Sequence, residues 1–139
     1  MSTISDFMSR DHDRLDVIFT EFQKEQATEK AKDLFSRFDE GLRTHIAWEE
    51  QILFPLFEER SGMRDSGPTA VMRIEHRQIK ECLEQIGQNI EQGSIASQRL
   101  LDVLGGHNHK EEQILYPMID RMLADGEKVA ILDRIKGEL

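Results

Sequence analysis

At 139 residues with a single cysteine, the chain is long enough to bury one hydrophobic core and has no internal disulfide to help hold it. Hydrophobic residues make up 38% and charged residues 32%, with three prolines and few aromatics, which suits amphipathic helices better than strands and predicts an all-α fold in a single domain, 1–139. The 27 acidic against 18 basic side chains leave a net charge of -9, which repels phosphate backbones and anionic lipid, so neither nucleic acid nor a membrane surface is an expected partner. The opening segment MSTISDFMSRDHDR reaches charged residues too early for a signal peptide, and no later stretch is apolar enough to span a bilayer. Cys82, read as a small buried hydrophobe, fits a reducing compartment, and a cytoplasmic protein is expected.

Ile4, Phe7, Leu15, Ile18, Phe19 and Phe22 recur at helical spacing and predict a first helix that ends in the polar run from Lys24 to Glu29. A second periodic run passes through Leu34, Phe38, Leu42, Ile52, Leu53 and Leu56 and stops before a loop holding Gly62 and Gly67. Pro55 lies inside it and is expected to kink its last turns. Pro68 suits the first turn of a third helix, which carries Val71, Met72, Ile79, Leu83, Ile86 and Ile90 before Gly93. Ser94 is placed to cap a fourth, through Leu100, Leu101, Leu104, Ile114, Leu115 and Met118, in which Pro117 matches Pro55 in context. A short fifth helix, roughly Gly126 to Ile135, is expected to close the end of the bundle.

The chain repeats itself. HIAWEEQILFP, from His45 to Pro55, aligns without a gap onto HNHKEEQILYP, from His107 to Pro117, an offset of 107 − 45 = 62. His12 in DHDRLD matches His76 in EHRQIK at an offset of 76 − 12 = 64. The sequence therefore reads as two helical hairpins related by an approximate twofold axis, each with one single-His helix and one His-x-x-x-Glu helix.

Residues four apart share a helix face, so His45 with Glu49, and His107 with Glu111, each present an imidazole beside a carboxylate. Such a pair can bind one metal ion, and a carboxylate from each half can bridge two ions, with two histidines terminal on each. Imidazole with carboxylate suits iron, zinc, copper and nickel. His12, His45, His76 and His107 sit among apolar positions, with Leu15, Leu42, Ile79 and Leu104 three or four residues away, so the ligands should point into the bundle core. Four unpartnered histidines there would be costly, which favours metal over a purely structural role.

The order His12, His45 with Glu49, His76, His107 with Glu111, each group on its own helix, resembles the hemerythrin-like, or HHE cation-binding, family over roughly Ile4 to Leu123. The resemblance implies an up-and-down four-helix bundle and two iron ions bridged by the two carboxylates and an oxo or hydroxo group. It also implies binding or reaction of O2, NO or peroxide at an open iron position, with a role in oxidative or nitrosative stress or iron homeostasis. A redox or protein partner is compatible with it. Oxygen carriers of the family have a fifth histidine where this chain has Lys80, and an Asp five residues after the last helix's histidine where it has Glu112. Glu111 is preferred as the ligand because it preserves the internal symmetry with Glu49. Two open positions then favour reactivity over O2 storage. The alternatives are a non-redox bundle filled by zinc or manganese, and an iron donor for iron-sulfur cluster repair.

Around this set, His109, Glu50 and Glu112 read as solvated, Trp48 and Tyr116 as packing residues, and the methionines as gap-fillers. Asp16 and Lys80, four residues after His12 and His76, are expected to aim at one end of the core as partners. There Lys80, steadied by Asp16, would hydrogen-bond a small ligand at the open position.

Overall fold

The computed structural model describes residues 3–90 and 94–137, the Ser94 side chain excepted. The expected helix stop at Gly93 and the Ser94 cap lie outside the described residues. Those residues form an all-helical bundle without a strand: α1 (Ile4–Lys24), α2 (Lys30–Trp48), α3 (Phe54–Ser61), α4 (Pro68–Gln88), α5 (Ser94–Lys110), α6 (Tyr116–Met122) and α7 (Asp125–Gly137). A π turn, Glu49–Leu53, joins α2 to α3, and a second, Glu111–Leu115, joins α5 to α6. Both therefore run on as long rods.

The π turns lie where a kink was expected at Pro55. A proline lacks an N–H and its ring collides with the carbonyl four residues back, so an unbroken α-helix cannot pass through it without distortion. Here the residue before each proline bonds five back: Phe54 N–H donates to the Glu49 carbonyl, and Tyr116 N–H to that of Glu111. Widening the turn by one residue absorbs the proline, and the helix continues.

Thr3 Oγ1 caps α1 by accepting from Asp6 N–H at 3.0 Å. The Asp120 carboxylate of α6 accepts from the next two free amides, Ile4 N–H at 2.8 Å and Ser5 N–H at 3.0 Å, which pins the start of α1 to the end of the second rod. Gly62 ends α3 in the left-handed conformation at φ 76°, and Gly67 at φ 86° turns the chain into Pro68. The predicted Gly62–Gly67 loop and Pro68 start are thus found. The fifth helix runs slightly longer than expected, and its Leu132 and Ile135 are buried against the end of the bundle.

Two apolar clusters form the core, and each rod passes from one to the other within about a turn of its histidine. On α1, Met8 belongs to one cluster and Leu15 to the other, with His12 between; on α4, Met72 and Ile79 flank His76 in the same order. On the two interrupted rods the order reverses, Leu42 before His45 and Ile52 after it, Leu104 before His107 and Leu115 after it. A buried polar layer of His12, His45, Glu49, His76, His107 and Glu111 thus separates two greasy halves.

Candidate metal centre

All four histidines are buried, with Nδ1 and Nε2 doing different work. Every Nδ1 meets a carboxylate: His12 with Glu112 at 3.1 Å, His45 with Asp11 at 2.8 Å, His76 with Glu50 at 3.0 Å and His107 with Glu75 at 3.0 Å. Such a carboxylate fixes the tautomer and leaves a lone pair on the other nitrogen. Every Nε2 faces the shared interior. His12 and His107 Nε2 each lie 3.2 Å from Glu111 Oε1; His76 and His45 Nε2 lie 3.1 and 3.8 Å from Glu49 Oε1.

These donors fall into two groups, Glu49, His76, His107 and Glu111 on one side and His12, His45 and Glu111 on the other, the ligand atoms of each lying within 4.8 Å of one another. Glu49 and Glu111 are fully buried, and Glu111 Oε2 has no hydrogen-bond partner among the described residues. An orphaned carboxylate oxygen among inward imidazole lone pairs is costly by itself and is satisfied by cations. The donor set fits two of them.

Without metal the cluster would satisfy itself with protons. Against the effect of burial, Glu111 and Glu49 raise His12, and Glu49 and Glu50 raise His76, each to about 9. His45 goes down, because burial outweighs its acidic neighbours. Burial and the Glu111 charge push Glu49 up. Burial acts the same way on Glu111, but a hydrogen bond with Glu49 and the nearby His107 and His12 pull it down.

Three placements correct the sequence reading. Glu50 and Glu112 are not simply solvated, since they hold His76 and His12. The sequence signal was present in the paired EE of both repeats. Tyr116 is more than packing: its buried hydroxyl reaches Glu49 Oε2 at 2.7 Å, Glu111 Oε1 at 3.1 Å, His45 Nε2 at 3.2 Å and His12 Nε2 at 3.4 Å. Burial and the two carboxylates push the phenol well above its ordinary range. Asp16 and Lys80 are not partners. Lys80 Nζ pairs with Glu50 at 3.6 Å, whereas Asp16 is exposed beside Glu112 in a surface groove of about 540 Å³. The two stand in corresponding places, each next to the carboxylate that holds its own half's histidine, and the helices bearing them do not bring them together. Trp48 packs against Phe7 and His45 as expected, and His109 is exposed.

The hemerythrin HHE cation binding domain pattern matches residues 3–119. The chain belongs to that family. Among curated relatives of this HHE chain, a DNA nickase from Nostoc sp. is 27% identical over 124 residues, covering 87% of the chain and 34% of that protein. An iron-sulfur cluster repair protein YtfE from Yersinia pseudotuberculosis is 35% identical over 91 residues, covering 56% of the chain and 41% of that protein, and one from Escherichia coli O157:H7 is 44% identical over 50 residues, covering 36% and 23%. The HHE chain thus spans between about a quarter and two fifths of the length of these relatives. No solved structure matches it.

Proposed function

We propose that the chain is a single-domain, up-and-down four-helix bundle of two pseudo-twofold-related hairpins that holds two iron ions. His12 and His45 serve one ion, His76 and His107 the other, and Glu49 and Glu111 bridge them, with the oxo or hydroxo group implied by the family completing the bridge. Iron held there supplies redox chemistry toward O2, NO or peroxide. The observation that carries this reading is the inward convergence of four carboxylate-held imidazoles on two shared, buried glutamates, one with an orphaned oxygen. The alternating order of the apolar clusters along successive rods supports the up-and-down path.

In this reading the protein residues position and insulate. Asp11, Glu50, Glu75 and Glu112 orient the rings, and the apolar clusters on either side exclude water. The setting is cytoplasmic, in keeping with the free, buried Cys82, and the role is in oxidative or nitrosative stress or iron homeostasis. The YtfE relatives favour a second reading, iron donation in iron-sulfur cluster repair. Metal analysis with optical spectra, before and after reduction and exposure to O2, NO or peroxide, tests the proposal. Two irons per chain and a near-ultraviolet and visible spectrum that changes with these reagents are expected. A colourless protein carrying zinc or manganese would overturn the redox reading, and iron passing to an apo-acceptor would favour donation.

A further inference from the structure

The Tyr116 hydroxyl is surrounded by more bases than it can serve. Its neighbours within 3.4 Å are two carboxylate oxygens and the Nε2 atoms of His12 and His45. With Nδ1 of both rings directed at Glu112 and Asp11, each Nε2 presents a lone pair whenever its ring is neutral, the state in which it can bind metal. A phenol has one proton, and the 2.7 Å contact gives it to Glu49. The remaining contacts would set lone pair against lone pair in a buried site, and a cation among them removes the conflict.

The internal repeat supplies a control. The position 116 − 62 = 54 holds Phe54, at the same place after its own π turn, where its ring stacks on His76 at 5.4 Å and 13° and offers no donor atom. The two halves therefore share their histidines and glutamates, and at this position they differ by one oxygen atom.

We infer that Tyr116 is itself a metal ligand, its phenolate oxygen binding the cation held by His12 and His45. This rests on the paired-metal reading above and sharpens it: that side has a protein oxygen as an extra donor, so a small ligand enters on the side of His76 and His107, beside Phe54. As the oxygen–metal bond forms, the O–H bond breaks and the proton leaves to solvent.

The chain has one tyrosine, so any tyrosinate signal belongs to Tyr116. Titrating the metal-free chain with Zn²⁺ should produce the near-ultraviolet difference absorption of tyrosinate. Loading it with iron in air should give a visible phenolate-to-iron charge-transfer band with phenolate modes in resonance Raman. Tyr116→Phe, nearly isosteric, should still take up two metals but bind one of them at least about tenfold more weakly. A wild-type chain that takes up two metals without a tyrosinate signal overturns the ligand and leaves the metal pair standing, and so do equal affinities in Tyr116→Phe. A tyrosinate signal with one metal per chain supports the ligand and overturns the pair, while failure to take up any metal overturns both.

Discussion

His76 is gripped on both nitrogens by consecutive residues, Glu49 on Nε2 and Glu50 on Nδ1. One glutamate belongs to the proposed bridge and its neighbour aims the ring, so changing the first should cost metal outright. Glu111→Ala is expected to lose both metals and His76→Ala about one, measured as metal per chain in purified protein; a full pair retained by Glu111→Ala would remove the shared carboxylate. Protons compete for the same atoms. With His12 and His76 raised to about 9 in the metal-free chain, uptake must displace their protons, so apparent affinity should climb as pH rises toward 9 and fall as pH drops, by up to about tenfold per pH unit for each proton displaced. Competition titrations with a chelator across this range give the slope.

At the scale of elements, Glu58 fastens α3 to α4. It accepts from Thr69 Oγ1 at 2.9 Å, Arg73 Nε at 3.2 Å and Arg73 Nη2 at 3.0 Å. Burial would raise its carboxyl, but the hydrogen bonds of Arg73 and Thr69 and the charges of Arg73 and Arg64 hold it below the usual range. A depressed carboxylate stabilises the fold above its unfolded pKa and loses that contribution as pH falls through the folded value, so the effect should fade below about pH 4. Glu58→Gln is expected to cost about 1–2 kcal/mol at neutral pH and to flatten the acid limb of stability, read by denaturant unfolding at several pH values.

Helical spacing also decides how much of the site is legible in the sequence. The helices, the buried histidines and the convergence of both glutamates followed from spacing, because His45 to Glu49 and His107 to Glu111 are ordinary one-turn steps. Tyr116 escaped because it lies five residues after Glu111, off the face in an α-helix but brought round toward it by a π turn, and nothing in a 3.6-residue period announces that turn. Pro55 and Pro117 marked where the helix must yield without saying how. Asp16 and Lys80 stand apart for another reason: periodicity gives a residue's direction on its own helix but not which helix lies opposite, and Lys80 faces Glu50.

Over the whole molecule, the polar layer divides the interior, so whatever occupies it couples the two apolar halves. Bound metal stabilises only the folded chain, and at a free concentration of a hundred times its dissociation constant contributes about 2.7 kcal/mol. Chelation should therefore lower the calorimetric melting temperature by several degrees. A melting temperature indifferent to chelator would mean that the layer is held by its own protons.

The repeat also bears on what the two ends of the site are free to become. Two identical hairpins associating as a dimer would be bound by symmetry to present the same atoms to both ends, and any substitution would appear twice. Joined in one chain, the halves are released from that obligation: Tyr116 against Phe54 and Lys80 against Asp16 are differences no homodimer could hold. Covalent linkage thus permits a division of labour, one end anchored by an added oxygen and the other left to meet whatever diffuses in.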